Sequence, residues 1–280
     1  MKNMEITVVL TTYNRPSNFK TALDSLVSQN FKKFELIVID DNSQENYALD
    51  CLIKSGLTYK YHKNTANLGI AKVRNLGIVM ASTPIISFLD DDDEYYPNFL
   101  YETFHALSNT EPKVSMSWSN AKINVYNDKS NTATFSVERR FDCQPFGKYS
   151  DLLSIGTGYG LAIKASCFDD IGGFDSDHKL TEDSEFFVRF MSAGYQALVL
   201  PGLNILINHH MAVRQTSAHN DHLRVQESEI ILQKYSSFFQ KNNTLKQEME
   251  NYIDALKIRI SEGGRINKTS SVFIASGTLV

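Results

Sequence analysis

The chain has 280 residues, of which 42% are hydrophobic and 21% are charged, and its formal net charge is −4. This length and composition are typical of a soluble globular protein with a large core, and the acidic balance argues against nucleic-acid binding, which needs a basic face. The 3 cysteines are too few and too scattered for a disulfide framework or a zinc site, so a reducing cytosol fits best.

Strands and helices alternate through the N-terminal part of the chain. Ile6–Leu10 is a β-branched apolar run typical of a strand, and Pro16 opens a helix at a favoured first-turn position. Further strands are predicted at Phe34–Ile39, Leu57–His62 and Ile85–Leu89. Because helical segments separate these strands, the pattern predicts an α/β fold with a mostly parallel sheet flanked by helices.

Polar residues follow the strands where they end. Thr11, Tyr13 and Arg15 follow the first strand, Asp41 follows the second, and Asp90–Asp93 follow the strand at Ile85. In a parallel sheet these groups share one edge, which is where ligands bind. Adjacent carboxylates suit a hard cation with oxygen ligands, Mg²⁺ or Mn²⁺. The alternative is a solvated acidic loop, which is the commoner state of an isolated acidic run.

A further polar turn precedes the helix that ends at Met80. Asn67 and Gly69 lie where this helix begins, and a helix N-terminus with a glycine favours phosphate. Arg74, five residues further on, either supplies a cation to a diphosphate or is a surface arginine on an amphipathic helix.

The pattern changes after Pro112. Val114–Val125 is predicted to form one or two strands, followed by a polar turn at Asn127–Asn131. Trp118 either stacks on a sugar ring or lies in the core, and the core is the favoured interpretation. Another strand is predicted at Tyr159–Ile163.

Two acids open the next predicted helix. Thr181 is placed to cap this helix, which starts with Glu182 and Asp183 and stops near Gly194. The acids either complement the helix dipole or act in catalysis, and the sequence alone favours neither reading.

The C-terminal part contains strands and then helices. Two strands, Gln196–Leu200 and Leu203–Ile207, lead to His210, which is a structural or surface histidine or else a metal or diphosphate contact. From Asp221 the chain is predicted to be helical, with a loosely held tail from Gly263. These helices pack on the sheet, on a second subunit in a homodimer, or against a membrane surface.

These patterns predict two halves of one domain and an extension. The first half is residues 1–110, the second is 111–215, and a C-terminal helical extension and tail comprises 216–280. The N-terminus lacks the apolar region of a signal peptide, and no apolar run reaches the roughly 20 residues of a membrane span. We therefore expect a cytoplasmic protein, with peripheral membrane contact left open.

The polar motifs occur together in an order known from one family. The chain resembles the inverting family 2 glycosyltransferases of the glycosyltransferase A fold, including bacterial surface-polysaccharide enzymes that use UDP-sugars. Each motif is weak alone, whereas the set in register is a strong signal. The matching segments are Thr11-Thr12-Tyr13-Asn14-Arg15, Asp40-Asp41-Asn42-Ser43, Asn67-Leu68-Gly69 with Arg74-Asn75, Phe88-Leu89-Asp90-Asp91-Asp92-Asp93, Gly172-Gly173-Phe174-Asp175 and Glu182-Asp183.

The resemblance implies a metal-dependent enzyme that moves one sugar from a UDP-sugar to a hydroxyl of a saccharide or lipid-linked saccharide, in surface polysaccharide or glycolipid synthesis. It implies that residues 1–110 are a donor-binding half and residues 111–215 an acceptor-binding and catalytic half. It also implies Asp183 as general base, and Asp92 with His210 as ligands of Mn²⁺ or Mg²⁺. The residues implied to bind the donor are Thr11, Tyr13, Arg15, Asp41, Asn67, Gly69, Arg74, Asp90 and Asp91. In this set Tyr13 stacks on the base and Asp41 accepts the uracil N–H.

The chain departs from the family pattern in three places. Asp91 replaces the usual small middle residue of the Asp-x-Asp motif, and Asn208-His209-His210 replaces the frequent Arg-x-His. The Gln-x-x-Arg-Trp signature of processive synthases is absent, which favours transfer of a single sugar.

Two other functions fit an α/β nucleotide-binding sheet. A nucleotidyltransferase needs a glycine-rich, lysine-containing loop after the first strand, and residues 11–15 do not supply one. A non-catalytic nucleotide-sugar-binding protein needs no base, and the Glu182-Asp183 pair argues mildly against it.

Overall fold

The computed structural model describes residues 4–126, 133–142, 148–210 and 218–262. The polar turn predicted at Asn127–Asn131 and the tail predicted from Gly263 lie outside these ranges. The structure likewise does not describe the side chain of His210, although its backbone ends a strand.

The N-terminal part forms a parallel sheet in the strand order β3-β2-β1-β4. Its strands are β1 (Ile6–Thr12), β2 (Phe34–Asp40), β3 (Tyr59–Lys63) and β4 (Ile85–Asp90). The helices that connect them are α1 (Pro16–Val27), α2 (Tyr47–Ser55) and α3 (Ile70–Met80). β1 is buried along its whole length, because strands on either side and helices above and below cover a continuous apolar run.

The second part extends the same sheet with mixed strand directions. Its strands are β5 (Asp93–Tyr95), β6 (Val114–Tyr126), β7 (Ala133–Arg139), β8 (Ala162–Lys164) and β9 (Gln196–His210). β8 joins β4 to β6 with antiparallel pairing on both sides, and β9 runs parallel to β6 and antiparallel to β5. The sheet is therefore continuous from the predicted donor half to the predicted catalytic half.

Helices cover this part of the sheet and continue into the C-terminal extension. They are α4 (Phe99–Ser108), α5 (Tyr149–Leu152), α6 (Ala165–Ile171), α7 (Glu182–Ser192), α8 (Asp221–Lys234), α9 (Ser236–Lys241) and α10 (Asn243–Ser261). A 3₁₀ turn at Thr157–Tyr159 precedes β8, and another at Ala218–Asn220 precedes α8. None of the helices within the described ranges has the length and apolar character needed to cross a membrane.

Two details of the predicted elements are wrong. The strands expected at Gln196–Leu200 and Leu203–Ile207 are one strand, because the pairing of β9 with β6 shifts register near Asn120 and so accommodates Pro201 and Gly202. The strand expected from Tyr159 begins only at Ala162, because the preceding residues form the 3₁₀ turn.

Trp118 lies in the core, as the favoured interpretation predicts. Its side chain is fully buried on β6 and meets Phe141 edge-on. A ring without exposed surface cannot stack on a sugar, so the alternative reading is wrong.

The C-terminal helices pack on α7 and on the backbone that leads into it, within the predicted catalytic half. Glu185 on α7 is fully buried, and it accepts hydrogen bonds from Lys234 at 2.9 Å and from Tyr235 at 2.5 Å. Glu227 on α8 binds the backbone that leads into α7, at the N–H groups of Lys179 (2.8 Å) and Leu180 (3.0 Å). The extension therefore braces the start of α7.

Candidate active site

The polar segments that follow β1 and β4 meet at the carboxyl ends of these two strands. Thr12 donates a hydrogen bond to Asp91 at 2.6 Å, and the Arg15 guanidinium contacts Asp91 at 3.0 Å and Asp92 at 3.1 Å. Asp91 is 4% exposed, and burial raises the pKa of its carboxyl to about 6 although Arg15 opposes the shift. Since Asp92 and Asp93 are also buried, the interpretation of the run as a solvated loop is wrong.

Asp41 holds the turn before α3. Its carboxylate accepts hydrogen bonds from the Asn64 amide at 2.8 Å, from the Leu68 N–H at 2.9 Å and from the Gly69 N–H at 3.0 Å. Gly69 has φ 83°, in the left-handed region that favours glycine. The turn thus depends on both an acid at the end of β2 and a glycine at the start of α3.

Arg74 is 3% exposed and links two carboxylates from distant segments. Its guanidinium contacts both oxygens of Asp90, at 2.9 and 3.0 Å, and Glu182 at 2.7 Å. Arg74 also lowers the pKa of Asp90 below its usual value, although burial alone would raise it. The alternative of a surface arginine is therefore wrong, while contact with the donor stays a prediction.

Asp183 lies in the first turn of α7, close enough to Asp90 at the end of β4 for their charges to interact. Its Oδ1 accepts the Ser184 N–H at 2.7 Å. Its Oδ2 faces Gly156, where an added Cβ would lie 3.2 Å away. Burial raises the pKa of the Asp183 carboxyl against the opposing charge of Arg74, and burial together with Asp183 raises that of Glu182. A raised pKa in a cleft is typical of an acid–base group.

Thr181 precedes α7 but does not cap it with its side chain. Its hydroxyl instead donates to Glu227 of α8 at 3.0 Å, and it contacts His178 at 3.0 Å. The predicted cap is therefore wrong, because a partner from the C-terminal extension takes this hydroxyl.

The 3₁₀ turn at Thr157–Tyr159 contacts Arg74 and Asp90, and sequence reasoning missed it. Thr157 contacts Arg74 and donates to Asp90 at 3.2 Å. At Gly158 an added Cβ would lie 2.5 Å from Asp93, so the turn approaches that carboxylate closely. The available signal was the glycine-rich run of residues 156–160.

One cavity of about 440 Å³ brings these groups together. Every predicted site residue except His210, whose side chain is outside the described part, lines this cavity. The predicted residues that line it are Thr11, Tyr13, Arg15, Asp41, Asn67, Gly69, Arg74, Asp90, Asp91, Asp92 and Asp183. Arg224 on α8 also lines it, which the sequence did not indicate.

The acids in the cleft fit a hard divalent cation held partly by a ligand. Among the described residues no group of three His, Cys, Asp or Glu side chains is arranged to hold a metal. Mg²⁺, however, is usually bound by one or two carboxylates together with substrate phosphates and water. The buried Asp92 carboxylate at the cavity wall is suited to that arrangement.

Comparison with known proteins identifies the family. The model of "Glycosyl transferase family 2" matches residues 7–172. The chain belongs to glycosyl transferase family 2. This confirms the predicted family and, with it, the prediction of a glycosyltransferase.

Curated relatives of this family 2 chain are themselves described as glycosyltransferases. An uncharacterized glycosyltransferase of Haemophilus influenzae is 27% identical over 188 residues, covering 66% of this chain and 62% of that protein. The amylovoran biosynthesis glycosyltransferase AmsB of Erwinia amylovora is 25% identical over 230 residues, covering 78% of this chain and 74% of AmsB. The chain thus spans less than two thirds of the first relative.

Solved structures of the same fold confirm the predicted glycosyltransferase A architecture. S. aureus TarS 1-349 in complex with UDP-GlcNAc aligns with a TM-score of 0.61 and 20% identity, covering 82% of this chain and 67% of that one. GalNAc-T7 with UDP, GalNAc and Mn²⁺ aligns with a TM-score of 0.58 and 17% identity, covering 76% of this chain and 45% of that one.

Proposed function

We propose that this family 2 chain is an inverting, metal-dependent glycosyltransferase. It moves one sugar from a UDP-sugar to a hydroxyl of a saccharide or lipid-linked saccharide acceptor, in the cytoplasm or at the cytoplasmic face of the membrane. The observation that carries the proposal is that Asp183 and the strand-end acids Asp90 and Asp92 line one cavity, with Asp183 close enough to Asp90 for their charges to interact.

The known proteins support the choice of substrates. AmsB is named for the biosynthesis of amylovoran, and TarS was crystallised with UDP and with UDP-GlcNAc. We extend these substrates to the present chain and propose a role in surface polysaccharide or glycolipid synthesis.

The nucleotide is proposed to bind at the ends of β1 and β2. The Tyr13 ring is 46% exposed beside the cavity, so one face is available to stack on a base. Asp41 accepts N–H groups from its own chain through both oxygens, and a carboxylate has about four acceptor positions. It therefore retains capacity for the uracil N–H.

The proposed reaction is a single displacement at the anomeric carbon. The acceptor oxygen forms the new C–O bond while the bond to the diphosphate breaks, and UDP leaves with the electron pair. Asp183, which lines the cavity beside Gly156, takes the hydroxyl proton, and its Oδ1 is the oxygen that accepts the Ser184 N–H. Attack from the face opposite the leaving group inverts the anomeric configuration.

Asp92 is the proposed protein ligand of Mn²⁺ or Mg²⁺, with His210 as a second ligand. When bound, the cation supplies Lewis-acid stabilisation of charge on the diphosphate. Arg15 contacts Asp91 and Asp92, so it balances part of the negative charge at the same wall.

A thermal-shift panel tests the donor class. UDP-sugars with Mn²⁺ are expected to raise the Tm more than either component alone, because a ligand that binds only the folded state stabilises it. Turnover, measured as UDP release, should stop when the divalent metal is chelated. NMR of the product should show an inverted anomeric centre. Retention of configuration, or turnover that is unchanged by chelation, would contradict the respective part of the proposal.

Activity is expected to fall on acidification at a higher pH than an ordinary aspartate would cause. The base must be ionised, and burial raises the pKa of Asp183, so kcat/KM rises with pH through that raised value. An ordinary aspartate titrates at about 3.9. The pH profile of kcat/KM with a UDP-sugar checks this, and a profile that stays flat down to the ordinary aspartate value would contradict it.

A further inference from the structure

We infer that Arg224, on the C-terminal helix α8, forms a subsite for an oxyanion carried by the acceptor, a phosphate or a carboxylate group. The inference rests on the proposed function, since it concerns the acceptor of that reaction. It assigns a binding role to the C-terminal extension, which lies beyond the region 7–172 that the family matches.

Helix α8 is fixed beside the proposed base. Glu227 accepts the N–H groups of Lys179 and Leu180, which lie three and two positions before the first residue of α7. Arg224 precedes Glu227 by three residues, so both lie on one face of α8. This register places Arg224 beside the α7 N-terminus that carries Asp183, and both side chains line the cavity.

The Arg224 guanidinium is held in place before any ligand binds. Asp221, which is fully buried, accepts a hydrogen bond from Arg224 at 3.2 Å and also contacts Arg259 of α10 through both carboxylate oxygens. Two guanidinium groups thus share one carboxylate, which favours positive charge at this wall. An arginine fork fixed by packing and ion pairs is suited to bind phosphate or carboxylate through paired hydrogen bonds.

The position of Arg224 favours the acceptor over the donor. The proposed nucleotide contacts, Tyr13 and Asp41, follow β1 and β2, whereas Arg224 is carried by α8, which binds the backbone leading into α7. Tyr252 of α10 is close enough to interact electrostatically with both Arg224 and Asp183. Arg224 therefore shares with Asp183, the group proposed to receive the acceptor proton, both the cavity and the neighbourhood of Tyr252.

Binding measurements test the subsite without a known acceptor. Protein saturated with UDP and Mn²⁺ is titrated calorimetrically with glycerol 3-phosphate, glucuronic acid and, as neutral probes, glycerol and glucose. We expect the charged probes to bind at least tenfold more tightly than the neutral ones. Arg224→Met should weaken the binding of the charged probes by about tenfold or more, because it deletes a charge-assisted contact. The two charged probes distinguish a phosphate group from a carboxylate group.

Two further variants separate a binding role from a structural one. Arg224→Lys keeps the charge but not the fork and should retain part of the charged-probe affinity. Lys257→Met removes a charge from the exposed surface of α10 and should leave the preference for charged over neutral probes unchanged. The affinity for UDP, measured separately, is expected to change less than twofold in Arg224→Met.

Equal binding of charged and neutral probes by the wild-type chain would overturn the inference. A loss of UDP affinity in Arg224→Met as large as the loss for the probes would also overturn it, because Arg224 would then contact the donor. Failure of the proposed function is distinguishable, since it appears as absence of UDP-sugar binding and of UDP release in the wild-type chain.

Discussion

Replacing Asp183 by asparagine is expected to lower kcat for sugar transfer by about 10²–10⁴-fold, the usual contribution of a general base. Asparagine has nearly the same shape but cannot take a proton. Its Oδ1 can still accept the Ser184 N–H, so the start of α7 should keep its structure. Product formation and the Tm of the variant, measured side by side, check both statements.

The matched control for this variant is Asp177→Asn. Asp177 is exposed and does not line the cavity, so the same chemical change there should leave transfer and stability unaltered. UDP affinity should be retained in Asp183→Asn, since the proposed nucleotide contacts, Tyr13 and Asp41, follow β1 and β2 and do not include α7. Near-normal transfer by a folded Asp183→Asn protein would remove Asp183 from the role of base.

The sequence predicts the part of the cavity at the ends of β1, β2 and β4 well, because the signals for these elements are local. Each of β1, β2 and β4 is a short apolar run followed directly by its polar residues, and parallel pairing brings their ends to one edge. Thr11, Asp41 and Asp90 therefore reach the cavity for reasons that a single stretch of sequence contains.

The part of the cavity near α7, α8 and the Thr157 turn depends on contacts between residues far apart in the chain. Such contacts leave little trace in the sequence. Glu227 lies 48 positions from Lys179, and its role becomes visible only when α8 packs beside α7. Arg224 reads in the sequence as an ordinary helical arginine. The turn around Thr157 is similar, because its glycines matter only against Asp93 and Asp183.

Arg74→Met is expected to destabilise the fold by about 3–5 kcal/mol, the usual cost of removing one partner of a buried ion pair. Arg74 is 3% exposed and separates the carboxylates of Asp90 and Glu182. Without its charge these acids and Asp183 repel one another in a buried site. Thermal and urea unfolding of both proteins at neutral pH measure the loss, which we expect to exceed that of any exposed pair.

The pH dependence of this loss distinguishes electrostatics from lost packing. In the wild-type chain Arg74 keeps the pKa of Asp90 low against the effect of burial, so removing Arg74 should raise that pKa in the folded state above its unfolded value. A raised carboxyl pKa favours folding at low pH and penalises it as the pH rises. The stability difference between the two proteins should therefore be largest near neutrality and should shrink on acidification, whereas a packing defect would be independent of pH.

Two variants complete the test of Arg74. Arg140→Met breaks an exposed pair with Glu138 and should leave the Tm unchanged, since surface ion pairs contribute little. Arg74→Lys keeps the charge, but a lysine ammonium can make only part of the contacts that the guanidinium makes with Asp90 and Glu182. The stability of Arg74→Lys should therefore lie between those of Arg74→Met and wild type. If Arg74→Met were as stable as Arg140→Met, the ion pairs of Arg74 with Asp90 and Glu182 would not stabilise the fold. Arg74 would then be free to contact the donor diphosphate, as the family resemblance implies.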